Sequence, residues 1–254
     1  MSFNFEKVGT PIAKIDGGIK NKEILYLAEP SDKDKVKKGY EEVKLDADAK
    51  FQPLPKRKIV EKLYISAPSG SGKSYYAGKW IKEFNKMFRD QEVYVFSPIP
   101  SDKALDANNI TRVDMDQDLL NNPITVEELE NSLVVFDDCE SIKEKKILGY
   151  VEWLRDSILE VGRHYNVRMV WISHLISNYS STRRLLNEAT AVTVFPRSGS
   201  GVYQIKKFLI NQCGLCKSEI KKFLTQDSRL CSVYRTFPQY VLTEKSCYFP
   251  KIDE

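Results

Sequence analysis

The feature that most constrains this chain is an eight-residue stretch, Ala67-Pro68-Ser69-Gly70-Ser71-Gly72-Lys73-Ser74, set between an apolar β-rich run (KLYISA, 62–67) and a segment of helical periodicity (74–88). Gly70 and Gly72 let the backbone turn its N–H groups inward around an anion, and a helix that follows directly aims its positive end at the same place. Lys73 is then placed to reach β- and γ-phosphates, and the Ser74 hydroxyl to ligate Mg²⁺. The pattern is that of a phosphate-binding loop, with Ala67 where the first Gly usually stands, a position that makes a turn without touching phosphate through a side chain. Residues Ala67 to Ser74 and the adjoining Tyr75 form the candidate nucleotide-binding set.

A loop of this kind binds nucleotide, whereas hydrolysis needs an acid on a neighbouring strand. Leu133-Val134-Val135-Phe136-Asp137-Asp138 supplies one about 60 residues later. Four apolar residues put Asp137 at the tip of a buried strand, where it can hold Mg²⁺ through water, and Asp138 beside it, where it can orient or deprotonate an attacking water. The competing reading of the pair is a helix cap or a turn. No NKxD-type motif follows the acidic strand, which disfavours a small GTPase.

Strands are expected at 62–67, 92–97, 132–137, 168–173 and 191–195, most of them continuous apolar runs suited to burial on both faces of a parallel sheet. Between them, 143–161 places Ile147, Val151, Leu154 and Ile158 on one helical face. The predicted class is α/β, a P-loop NTPase core at 59–200, for which the family resemblance given next implies the RecA-like (ASCE) type. An N-terminal extension with one or two edge strands (1–58) precedes it, and a helical pair with a β-hairpin (201–254) follows. Splitting the charge at residues 58 and 200 gives +3, −3 and +4, the total of +4 being too small for a bulk polycation, so any nucleic-acid surface is local. No apolar run approaches the ~20 residues of a membrane span. The first residues lack the pattern of a signal peptide, so the five cysteines are expected as thiols in a reducing cytosol.

Taken in order, APSGSGKS, VVFDDC (134–139), GRHYNVRMVWISH (162–174) and SNYSSTRRLLNEA (177–189) resemble the FtsK-HerA superfamily of P-loop ATPases. Within it they are most similar to the genome-packaging ATPases of large DNA viruses and virophages, over about residues 60–200. The resemblance implies an ATP- and Mg²⁺-dependent motor acting on double-stranded DNA without sequence reading. It further implies a homo-oligomeric ring, hexameric in the family, with a capsid protein as a further partner, and a location in host cytoplasm at the assembly site and in the virion. It makes Arg163 an arginine finger that enters the neighbouring subunit's site, and puts a polar sensor at Ser173 or His174, His174 being favoured. Left to the residues alone, Arg163 could instead cap the preceding helix, Arg168 could compete for the finger role, and His164 reads as structural. Arg183 and Arg184 are either phosphate contacts or solvated loop charges.

The segments 202–212 and 217–226 each contain IKKFL, with Gly214 between them, and read as two short helices. Lys206, Lys207, Lys221 and Lys222 would give them a basic face suited to phosphate backbone or simply to solvent. Cys213-x-x-Cys216 lacks the second cysteine pair of a zinc ribbon. Three rivals stand beside the packaging motor: a cellular or plasmid translocase or helicase of the same superfamily, a nucleotide-switched DNA-binding protein, and a small-molecule kinase.

Overall fold

The computed structural model describes residues 1–176, 182–198 and 201–252. The chain divides into two compact units: Arg57–Val192, and a second composed of Met1–Lys56 with Thr193–Glu254.

The N-terminal part of the second unit contributes β1 (Ser2–Asn4), β2 (Thr10–Asp16), β3 (Ile24–Ala28), β4 (Glu42–Lys44) and β5 (Lys50–Pro53). Four of these form an antiparallel sheet in the order β1-β3-β2-β5. One or two edge strands were expected here. Gly17-Gly18, which reads as loop punctuation, lies between two strands whose inward residues Ile12, Ile15 and Leu25 are fully buried.

The Arg57–Val192 unit runs β6 (Lys62–Ser66), α1 (Lys73–Met87), β7 (Glu92–Phe96), α2 (Lys103–Asp106), β8 (Thr111–Val113), α3 (Gln117–Asn121), β9 (Ser132–Asp137), α4 (Lys145–Val161), β10 (Arg168–Ser173) and α5 (Arg183–Glu188). Each strand and each long helix expected in this unit is present to within two residues. The short elements α2, β8, α3 and α5 were not expected, because three to six residues carry too little periodicity to register.

The strands of this unit are parallel in the order β6-β10-β9-β7-β8. Every residue of β6, β9 and β10 is buried, as the apolar runs require. Phe96, Phe136 and Trp171 pack across three adjacent strands at centroid distances of 5.3 and 5.2 Å. On α4, Val151, Leu154 and Ile158 are fully buried, and the apolar stripe predicted from their spacing faces the core. The order has one consequence for chemistry: β10 lies between the strand that leads into the glycine-rich loop and the strand that ends in the acids. Ser173 pairs with Ser66, and Ile172 with Asp137, so three carboxyl ends meet at one edge.

After β11 (Ala191–Val194), the chain returns to the second unit with α6 (Val202–Asn211), α7 (Lys217–Leu224), β12 (Cys231–Tyr234), β13 (Tyr240–Thr243) and β14 (Ser246–Tyr248). The two helices and the β12–β13 hairpin stand where the sequence put them, with a cis Phe237–Pro238 bond in the hairpin turn. The two ends of the chain are joined within this unit. Strand β14 pairs with β4, and Lys245 Nζ donates to the carbonyls of Ala47 and Ala49, both at 2.6 Å. Among the described residues no helix is long and apolar enough to cross a membrane.

Candidate active site

The loop from Ala67 to Gly72 joins β6 directly to α1. Its first backbone N–H, of Ala67, donates to Ser173 O (3.1 Å), tying the loop to the end of β10. Gly70 and Gly72 hold φ values of +74° and +92°, a region in which a side chain would be strained, and Gly72 sits at the N-terminus of α1. Ser69 and Gly70 are exposed at the tip, and Tyr75 is exposed on the first turn of the helix.

Lys73 is buried at 7% exposure and turns back over the loop, with Nζ 3.3 Å from Pro68 O and 3.1 Å from His174 Nδ1. Burial lowers the affinity of its ammonium for the proton, opposed by the charges of Asp138, Asp137 and Glu140. His174 Nε2 in turn lies 2.8 Å from Asp138 Oδ1. An ammonium can only donate, so in the contact between Lys73 and His174 the ring Nδ1 is the acceptor. The ring therefore bridges the loop lysine and the second acid.

Asp137 ends β9 at 1% exposure. Ser97 Oγ donates to its Oδ2 (3.4 Å), while Oδ1 is buried without a hydrogen-bond partner among the described residues. Burial first, then the charges of Asp138 and Asp102, push its pKa up to about 6, against the pull of Lys73 and the Ser97 bond. A buried carboxylate with an unused oxygen beside a second carboxylate is chemistry that fits a hard divalent cation. Asp138 adopts a left-handed conformation (φ 50°) and starts a short 3₁₀ turn, Cys139–Ser141, that turns the chain away from the strand. Cys139 is buried, with Sγ 3.4 Å from Phe96 O, and burial pushes its thiol far up, so it is a packing residue.

That turn carries an acid the sequence reading passed over. Glu140 accepts a hydrogen bond from Ser173 Oγ and a second from the backbone N–H of His174 (3.3 Å). The hint was the third acid of DDCE, but nothing in the spacing said which way it turned. The one Ser173 hydroxyl proton has a second acceptor within reach, Leu175 O (2.9 Å), and Oγ accepts from Leu175 N (3.2 Å). Its hydroxyl is thus engaged locally, whereas the His174 ring faces the loop.

Arg163 lies elsewhere, exposed in the turn between α4 and β10, which closes on backbone bonds from His164 to Val161 (2.9 Å) and from Val167 to Gly162 (2.8 Å). Its charge acts on Lys62, the first residue of β6, while the glycine-rich loop follows the other end of that strand. Four residue steps separate the strand's ends, roughly 13 Å. His164 is exposed in the same turn. Arg168 is a buried structural cation: it donates to Gln91 Oε1 (3.1 Å) and Asn166 Oδ1 (3.0 Å) and lies over the Phe88 ring at 4.2 Å. Arg184 pairs with Glu160 (2.7 Å) and Asp156 (3.4 Å) on α4, and Arg183 starts α5. Residues 177–181 of the polar stretch lie outside the described residues.

In the other unit the four lysines of the two IKKFL segments diverge. Lys222 pairs with Glu42 (3.3 Å) and lies over Tyr248 (3.7 Å), and Lys207 lies over Tyr203 (4.7 Å). Lys206 and Lys221, joined by Lys217, line a groove of about 440 Å³ whose apolar wall includes Ile210, Ile220 and Leu224.

No family model matches the chain. Over 243 residues it is 36% identical to Uncharacterized protein V3 of the Sputnik virophage, an alignment covering 95% of this chain and 96% of that protein. Among solved structures it is similar to the genome packaging NTPase B204 from Sulfolobus turreted icosahedral virus 2 in complex with sulfate, with a TM-score of 0.52, 11% identity, and coverage of 72% of this chain and 96% of that one. It is likewise similar to B204, the DNA-packaging ATPase from Sulfolobus turreted icosahedral virus, with a TM-score of 0.50 at 11% identity, over 72% of this chain and 97% of that one. At these identities the likeness concerns the fold, and it is the α/β P-loop NTPase fold expected from the sequence.

Proposed function

This chain belongs to the family of the Sputnik virophage protein V3 and folds as viral genome-packaging ATPases do, and on that premise we propose that it hydrolyses ATP to drive double-stranded DNA into a capsid. The observation that carries this reading is the junction of Lys73, His174 and Asp138 at the carboxyl ends of β6, β10 and β9. A lone phosphate-binding turn would account for Lys73 but not for a ring spanning it and an acid.

In this reading the backbone N–H groups of residues 69–74 bind the ATP phosphates and Lys73 contacts the β- and γ-phosphates. Ser74 and Asp137 would hold Mg²⁺, which when bound neutralises charge on the phosphate oxygens. Asp138 orients water for attack on the γ-phosphorus and takes its proton as the bond to the β-phosphate oxygen breaks. His174 keeps Lys73 and Asp138 in register. Arg163 is too far from its own loop to serve it, which supports a role in a neighbouring copy's site and hence a ring, six-membered by the resemblance stated above. Lys206, Lys217 and Lys221 offer the DNA backbone contacts that carry no sequence information. The setting is the viral assembly site in host cytoplasm, with the packaged capsid as the destination.

The test is steady-state ATP and GTP hydrolysis with and without long linear double-stranded DNA, for wild type, Arg163→Ala, Lys73→Ala and a mixture of the two variants. The expected results are DNA-stimulated ATP turnover, a loss on the order of 10³-fold in Arg163→Ala with nucleotide binding retained, and partial recovery in the mixture. Turnover that ignores DNA, together with wild-type behaviour of Arg163→Ala, would overturn the motor and bring the kinase or switch forward.

A further inference from the structure

We infer that Glu140 is a positioning residue of the hydrolytic site, one that acts through His174 by fixing the end of β10. The inference rests on the ATPase reading above for its kinetic consequence, but its structural content is independent of that reading.

Glu140 stands three residues past the end of β9, on the far side of the left-handed turn at Asp138. From there its two carboxylate oxygens reach across to β10: Oε1 accepts from Ser173 Oγ, and Oε2 from the N–H of His174. Those donors belong to the last residue of β10 and the first beyond it, where the ladder of the parallel sheet has ended and the His174 N–H would otherwise lack a strand partner. The carboxylate therefore replaces the ladder for one more residue. It fixes the backbone from which the His174 ring spans Lys73 and Asp138.

A residue that only held the fold would sit in the core and leave buried groups unsatisfied when removed. Glu140 is exposed at the rim, and without it the Ser173 hydroxyl proton can turn to Leu175 O, 2.9 Å away. The charge of Glu140 reaches Lys73 as well, so it belongs electrostatically to the same cluster. Loss of this carboxylate leaves the fold and the loop in place and releases the ring.

The experiment is a double-mutant cycle on the full chain. Glu140→Ala is expected to lower kcat on the order of 10²-fold, the scale of a small displacement of a positioned group, with KM for ATP changed less than about threefold and an unchanged melting temperature. Glu140→Gln, which keeps a single acceptor oxygen, should fall between wild type and Ala. In a His174→Ala background, adding Glu140→Ala should cost nothing further, because the residue through which it acts is gone. A full additional loss in that background would overturn the inference, as would wild-type kcat in Glu140→Ala or loss of nucleotide binding.

A second readout needs no hydrolysis. The chain has two histidines, so ¹⁵N-histidine spectra contain two imidazoles, and His174→Ala identifies one of them. Wild type should show His174 with its proton on Nε2, and Glu140→Ala should shift that signal while leaving His164 in place. An unmoved His174 signal would overturn the inference even in a protein that turns over no ATP, whereas a moved signal without turnover would fault the ATPase reading alone.

Discussion

At the scale of single residues, Asp137 carries a stability cost in its ionised form. Its folded pKa of about 6 lies above the unfolded carboxylate value, so the native state holds that proton more tightly than the unfolded chain does. The cost is fully present above pH 6 and is relieved as pH falls from about 6 towards 4. Asp137→Asn, which keeps the shape without the charge, should therefore melt later than wild type at pH 7.5, by up to about 3 kcal/mol for a two-unit shift. The gap should narrow as the buffer is taken from pH 6 to pH 4. A gap independent of pH would show that ionisation is not its origin. Mg²⁺ should raise the melting temperature of the wild type and leave Asp137→Asn unmoved, since a bound cation compensates the buried charge.

Residues of this kind were legible from sequence because their chemistry is tied to strand ends: Lys73 closes a glycine-rich turn, and Asp137 ends an apolar run. Glu140 was not, since a left-handed residue at Asp138 redirects the chain and no spacing rule survives that turn. Arg168 and Arg184 were left open for the same reason. A guanidinium looks alike in sequence whether it lies over Phe88 or pairs with Glu160.

At the scale of elements, two contacts set the geometry. Gly78, in the middle of α1, lies against α2 so closely that a methyl group there would stand 2.3 Å from Ala104 O. Gly78→Ala should destabilise by about 1–3 kcal/mol, the range for overpacking, although Ala is the better helix former. A stabilised Gly78→Ala would show that α2 yields without penalty. Leu154→Ala on α4 removes a fully buried side chain and should cost 2–5 kcal/mol, measured by denaturant midpoint. The strand order itself was not legible. Apolar runs identify strands buried on both faces but say nothing about which are neighbours, and the insertion of β10 between β6 and β9 is what makes the site. The short helices α2 and α3 escaped because a single turn has no period to detect.

At the scale of the whole molecule, basic character concentrates in the unit formed by the two chain ends, with 21 Lys and Arg against 15 Asp and Glu, while Arg57–Val192 has 18 against 20. That the ends form one unit was hidden from sequence, because pairings such as Val43 with Cys247 join residues some two hundred apart. Replacing Lys206, Lys217 and Lys221 together by Glu should weaken DNA stimulation of turnover, and the slope of log K against log salt should flatten by about one per lost phosphate contact. An unchanged slope would place the DNA surface elsewhere.

The distance between Arg163 and the glycine-rich loop, one at each end of β6, has a kinetic meaning. On the proposed reading, a polypeptide whose glycine-rich loop and Arg163 lie at opposite edges of one sheet would hold two half-sites and no whole one. Its rate law should accordingly be of higher than first order in protein: on dilution below the assembly constant, turnover per polypeptide falls. Adding Lys73→Ala chains, inert alone, should restore it at fixed wild-type concentration by lending their arginines.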